Sequence, residues 1–200
     1  MLELNNVTLC CVDCVNYSAA TNAINHSVNL VKFKEALFIT DRDIKYDTFK
    51  TIEIAKINSK EEYSWFMLNS LNDYILTDFV LIIQYDGYVL RPDLWNDEFL
   101  NYDYIGAPWL WHSSYRVGNG GFSLRSKTLL AATQLEYFEK FHPEDDIICR
   151  ENRELLEKKY NIKFAPEKLA KQFSFEPSSK DAKFKNDSFG FHGIANFIKR

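Results

Sequence analysis

Four short stretches of this 200-residue chain gather side chains that can do chemistry. Gln84-Tyr85-Asp86-Gly87 directly follows the apolar run Phe79–Ile83. A carboxylate on a turn beyond a buried strand can hold a divalent cation against a diphosphate, because magnesium and manganese prefer oxygen ligands. Gln84 adds an amide oxygen, which can ligate but brings no charge, and Gly87 lets another backbone come close. The competing reading is a plain turn in which Asp86 caps a backbone N–H. Gly118–Arg125 (GNGGFSLR) sets Asn119 among Gly118, Gly120 and Gly121 ahead of a strand. That composition permits a bent backbone beneath a ligand, or else a tight turn or bulge. Pro143-Glu144-Asp145-Asp146 opens a helix with three carboxylates, which the positive end of the helix dipole favours. The same group can supply a general base that takes a proton from a hydroxyl, and crowding raises the basicity of its members. His192, between Phe-Gly-Phe and Gly193, lies on a late segment that could fold back over a site. There its imidazole could ligate a metal or pair with a phosphate, the alternative being a structural histidine.

These residues need a frame that brings them together. Val7–Val12 is a β-branched apolar run ending at Asp13, and Ala36–Thr40 is a second run ending at Asp41. Thr51–Ile57 alternates as a third strand, and Phe79–Ile83 is the most continuous apolar run of all. Between them, Ala20, Ile24, Val28 and Val31 mark one helix. Trp65, Leu68, Leu71 and Ile75 mark the buried face of another, opened by Ser59 with Glu62 three residues on. The rhythm β-α-β-β-α-β predicts an α/β fold with a mostly parallel sheet covered on both faces. Ligands bind beyond the carboxyl ends of such strands, where Asp13, Asp41 and Asp86 fall. After Asp86 the spacing predicts a helical turn at Trp95–Phe99, a strand at Tyr104–Ala107 and a helix from Ser126 to about Phe138. A helix from Asp145 to about Tyr160 follows, then short strands at Ile162–Ala165 and Phe173–Phe175 and a polar loop from Pro177 to Ser188. No linker or repeat divides the chain, so one domain over residues 1–200 is expected.

Composition narrows the function classes. The net charge is −4 and no lysine or arginine cluster forms a track for a phosphate backbone, which argues against nucleic acid as a partner. Cys11 and Cys14 have C-x-x-C spacing, but no second pair accompanies them and Cys10 lies in an apolar strand, so the thiols read as free, buried or partly exposed. Such thiols fit a reducing compartment, hence a cytoplasmic location. The N-terminus lacks the pattern of a secretory signal and no apolar run is long enough to span a bilayer. Ile194–Arg200 mixes apolar and basic residues that could touch a membrane surface. The G-x-G-x-x-G fingerprint of nicotinamide enzymes is absent.

Taken in order, these stretches resemble a group of bacterial and viral proteins carrying a domain of unknown function regarded as glycosyltransferase-like, of the GT-A fold. The similarity runs through VTLCCVDCVN, Gln84–Pro92 with Trp95, Tyr102–Trp109 (YDYIGAPW), VGNGGFSLRSK, PEDD, FAPEKLAKQFSFE and FGFHG. The resemblance implies a single GT-A-like domain that moves a sugar from a nucleoside-diphosphate-sugar, with UDP expected, to a glycan or lipid-linked acceptor. It implies that Asp13 lies near the nucleoside, and that Gln84, Tyr85, Asn119, Gly120 and Gly121 shape the donor site. Asp86 would occupy the metal-binding Asp-x-Asp position, with Gln84 as the departure, and His192 would complete a Mn²⁺ or Mg²⁺ site. Asp145 would act as base in an inverting transfer, with Glu144 contacting sugar hydroxyls. A retaining transferase and a non-catalytic sugar-nucleotide-binding module are the alternatives.

Overall fold

The first strand is longer than its apolar core. In the computed structural model, which describes residues 1–109, 112–177 and 187–193, β1 spans Leu2–Val12. Leu9 and Cys11 pack into one apolar cluster, Cys10 and Val12 into another. A strand whose alternate side chains are buried on both sides is central to a two-faced sheet. α1 (Tyr17–Leu30) runs straight into β2 (Val31–Thr40). The sequence expectation placed this strand at Ala36–Thr40, because exposed Lys32 and Lys34 disguise its first half. β3 is shorter than expected, Lys50–Glu53 rather than Thr51–Ile57. α2 (Lys60–Asn69) and a 3₁₀ turn at Leu71–Tyr74 lead to β4 (Phe79–Ile83), which matches its apolar run. Further 3₁₀ turns occupy Pro92–Leu94 and Asp97–Asn101. β5 (Tyr104–Ile105) and β6 (Phe122–Ser126) complete the main sheet, and α3 (Lys127–Leu135) leaves it.

The six strands are ordered β3-β2-β1-β4-β6-β5. The first four are mutually parallel, and β6 runs antiparallel to both β4 and β5. Two apolar layers cover the sheet. Ala20, Ala23 and Ile24 of α1 pack on one face with Leu169, Ala170 and Phe173 from late in the chain. Phe66, Met67 and Leu130 of α2 and α3 pack on the other. Because β6 is reversed, its first residue, Phe122, pairs with Ile83, the last residue of β4. The loop entering β6 and the turn leaving β4 therefore meet at one rim.

The later elements depart most from sequence expectation. The helix expected over Asp145–Tyr160 is broken into α4 (Glu144–Asp146), a π-helical turn (Ile147–Glu151) and α5 (Arg153–Tyr160). Asn152 N–H reaches the Ile147 carbonyl at 3.0 Å, and the Asn152 side-chain amide donates to the same oxygen at 3.2 Å, an i to i−5 closure that holds the wider turn. α3 stops at Leu135, short of Phe138. Residues 162–165 form only an isolated bridge, Tyr104 with Phe164. Trp65, read as part of the buried face of α2, is instead 51% exposed. α6 (Glu167–Phe173) leads into β7 (Ser174–Phe175), which pairs in parallel with β8 (Gly190–Phe191). Four free cysteines are all buried. No described helix is long and apolar enough to cross a membrane. The segment Ile194–Arg200, expected as a membrane contact, lies outside the described residues, as does most of the 177–188 loop.

Candidate active site

A cleft of about 500 Å³ opens at the carboxyl ends of β1 and β4. Its walls include Asp13, Ser59, Tyr63, Gln84, Tyr85 and Glu144. Such a volume suits a small-molecule ligand. The three rim aspartates differ in what they already hold. Asp13 Oδ1 accepts from the N–H groups of Val15 and Asn16 at 2.7 and 2.6 Å, shaping the turn into α1. Asp41 accepts from the Tyr17 hydroxyl at 2.9 Å. Asp86 Oδ1 is buried and has no hydrogen-bond partner among the described residues. Asp86 thus shapes no turn of its own, and its Oδ1 is paired with His192 instead.

His192 faces that oxygen. Its Nε2 lies 3.0 Å from Gln84 Oε1 and 3.4 Å from Asp86 Oδ1. Burial disfavours the charged imidazole, but the carboxylates of Asp86 and Glu176 outweigh it and raise its pKa to about 9. On the other ring edge, the Asn119 amide nitrogen sits 3.1 Å from Nδ1. The amide orientation follows from its oxygen, which accepts from the N–H groups of Gly121 and Phe122 at 3.0 and 3.4 Å. This neutral donor favours a lone pair on Nδ1 and so opposes the two carboxylates. Two glycines make room for the ring and its strand. A Cβ on Gly121 would fall 2.1 Å from His192 Nε2, and one on Gly87 would fall 2.6 Å from the Phe191 carbonyl oxygen.

The glycine loop also ties this cluster to the acidic helix start. Gly120 N–H donates to Asp145 Oδ2 at 2.9 Å, while Asp145 Oδ1 accepts from Asp146 N–H at 3.0 Å. A Cβ on Gly120 would sit 2.3 Å from Glu144 Oε1. Glu144 is buried and paired at 3.1 Å with Arg125, which is fully enclosed. Burial, then the nearby Asp145 charge, raise the Glu144 pKa, and Arg125 works against both. Arg125 also donates to Ser123 Oγ at 3.1 Å and lies over the Tyr104 ring.

His192 touches Asp86, Gln84 and Asn119 in turn, and Gly120, next to Asn119, reaches Asp145 and Glu144. Asp13 and Tyr85 line the cleft beside them. The sequence reading missed Tyr63, whose hydroxyl accepts from the Gln84 amide at 3.0 Å. It also missed Arg125, Glu176 and the cleft-lining His142, whose Nδ1 meets Ser64 Oγ at 2.8 Å. A buried arginine inside a strand is a signal that could have found Arg125; the others carry none.

A divalent cation fits what is present. Asp86 supplies a carboxylate and Gln84 an amide oxygen, donors suited to Mn²⁺ or Mg²⁺, and His192 a borderline ring nitrogen. Among the described residues no group of three His, Cys, Asp or Glu side chains is assembled as a cation cage. The amide therefore has to serve as one ligand, with oxygens of a ligand or water as the rest.

The family model described as "Protein of unknown function (DUF5672)" matches residues 46–192, and the chain belongs to that family. No curated protein matches it in sequence. Among solved structures it is similar to a glycosyltransferase involved in the glycosylation of the major capsid of PBCV-1. The TM-score is 0.57 at 11% identity, over 94% of this chain and 93% of that one. It is also similar to the galactosyltransferase LgtC in complex with donor and acceptor sugar analogs. There the TM-score is 0.50 at 13% identity, over 94% and 87% of the two chains. These likenesses are of fold: a GT-A-like mixed α/β sheet flanked by helices.

Proposed function

We propose that this DUF5672 protein is a glycosyltransferase that takes a nucleoside-diphosphate-sugar, with UDP the expected nucleotide, and transfers the sugar to a hydroxyl of a glycan or lipid-linked acceptor. The observation that carries this reading is the pairing of the buried Asp86 carboxylate with His192 beside Gln84, next to the strand-end cleft of a fold shared with glycosyltransferases. Asp86, His192 and Gln84 would hold Mn²⁺ or Mg²⁺, which supplies Lewis-acid stabilisation of the leaving diphosphate.

The chain's own residues supply the rest. The turns at Asp13 and Tyr85 line the cleft for the nucleotide. Asn119, Gly120 and Gly121 bend the backbone where the donor sugar would lie. Asp145 takes the proton of the acceptor hydroxyl as it attacks the anomeric carbon, giving inversion. Its two oxygens each accept one backbone N–H, and each keeps a second lone pair for that proton. Those same two bonds favour a second reading, in which Asp145 only clamps the glycine loop and transfer retains configuration. The anomeric configuration of the product, read by NMR, separates the two.

A thermal-shift panel of sugar nucleotides, with and without Mn²⁺, tests the reading. A donor at 100 times its Kd adds about 2.7 kcal/mol to native stability, so a UDP-sugar with Mn²⁺ is expected to raise Tm by several degrees. No shift with any sugar nucleotide, with or without metal, would overturn the proposal.

A further inference from the structure

Three buried hydroxyls on helices spend their protons within the helix. Thr21, Ser27 and Thr133 donate to the carbonyls of Ser18, Ala23 and Leu130 at 3.0, 2.9 and 3.0 Å. Ser64 of α2 is 1% exposed and does otherwise. Among the described residues its hydroxyl meets only His142 Nδ1, at 2.8 Å and 78 positions along the chain. The bond fastens α2 to the segment that leads into Glu144, and Ser64, His142 and Glu144 all line the cleft. The His142 ring is half-buried, and its Nε2 has no hydrogen-bond partner among the described residues. The Ser64 hydroxyl decides what that nitrogen carries. A buried hydroxyl with a single partner strands its proton if the partner is a donor. In the neutral ring Nδ1 therefore accepts from Ser64, and Nε2 bears the N–H. In the charged ring both nitrogens bear one, so Nε2 is a donor in either state.

We infer that His142 is a specificity-determining residue whose Nε2–H donates to a hydroxyl oxygen of the donor sugar. The inference rests on the glycosyltransferase reading. That reading sets the nucleotide by Asp13 and Tyr85 and the sugar by Asn119, Gly120 and Gly121. Glu144 fixes which end of the cleft His142 occupies. A Cβ on Gly120 would fall 2.3 Å from Glu144 Oε1, so Glu144 stands at the sugar end, and His142 precedes it by two residues. With Ser64 holding one edge of the ring, the direction of the N–H is set before a ligand arrives. A preorganised donor of this kind costs little to engage and discriminates between sugars. A sugar that lacks an oxygen at that place leaves the N–H unpaired.

The test is calorimetry on the full chain with Mn²⁺, using UDP, UDP-glucose, UDP-galactose, UDP-N-acetylglucosamine and UDP-glucuronic acid as probes. His142→Phe keeps a ring of similar shape without the N–H. It is expected to weaken the tightest-bound UDP-sugar by about 3–10-fold, the loss of one hydrogen bond. UDP, which has no sugar to contact, should stay within about twofold of wild type. His142→Gln restores a side-chain N–H donor and is expected to recover most of the loss. An unchanged UDP-sugar affinity in His142→Phe, an equal loss for UDP, or an equal loss in His142→Gln would overturn the role of His142 and leave the glycosyltransferase reading standing. A wild-type chain that binds UDP and none of the UDP-sugars would also overturn that role. A wild-type chain that binds none of the probes would overturn the UDP-sugar site and the inference together.

Discussion

Two helices begin at the cleft with acidic residues in their first turn, and they use them differently. α2 is capped within its own sequence. Ser59 Oγ accepts from Glu62 N–H at 3.1 Å, and Glu62 reaches back to Asn58 N–H at 2.7 Å. α4 begins after Pro143 with no side-chain cap. Two of its three carboxylates reach remote partners, Asp145 Oδ2 to Gly120 across 25 residues and Glu144 to Arg125 across 19, while Asp146 pairs with Arg150 one turn on. The same composition thus serves local helix stability in one place and assembly of a distant loop in the other. Acidic residues at a helix start do not by themselves identify a cap. What identifies it is whether the side-chain oxygens accept from the helix's own N–H groups or bond to remote partners.

Three substitutions sharpen this contrast. Asp145→Asn should lower turnover by about 10²–10⁴-fold if the outward-facing carboxylate takes the acceptor proton. Nucleotide affinity should stay intact, and steady-state kinetics with the donor found above provide the check. An unchanged rate would reduce Asp145 to a clamp and make the two helix starts more alike. Arg125→Met should cost about 3–5 kcal/mol in denaturant unfolding, because it strands Glu144 inside the protein. The cost should depend on pH. Burial raises the Glu144 pKa, and removing its cation raises it further. A carboxyl with a raised folded pKa contributes stability below its unfolded value of about 4.3 and loses it as pH rises. The deficit of Arg125→Met should therefore be smallest in acid and grow towards neutrality; a pH-independent deficit would mean that packing, not the ion pair, is lost. Ser59→Ala should have the smallest effect, about 1 kcal/mol, the ordinary value of a local cap.

The same division decides what could be read from the sequence. β4 was legible to the residue, because five consecutive apolar side chains buried in a sheet leave a continuous run. The Ser59 cap was legible because its partners lie within four residues. The first half of β2 was not, since Lys32 and Lys34 face solvent and break the apolar run. The break in the helix after Glu144 was hidden because it depends on Asn152 reaching a carbonyl five residues back. At the site, Asp86 and His192 stood out by residue type, and the structure sets their side chains in contact. Glu176 could not be found that way. Its only distinction is cross-strand register with a residue sixteen positions later, which spacing in one dimension does not encode.

His192 meets Gln84 across 108 residues of chain. Closing so long a loop carries an entropic cost that local contacts cannot offset until the sheet exists. During synthesis the cleft floor, built from β1 to β4, leaves the ribosome well ahead of the histidine that completes it. A chain stalled or cleaved after β6 would carry Gln84 and Asp86 and lack the histidine that meets them. Completion of the proposed cation site thus waits on synthesis through residue 192.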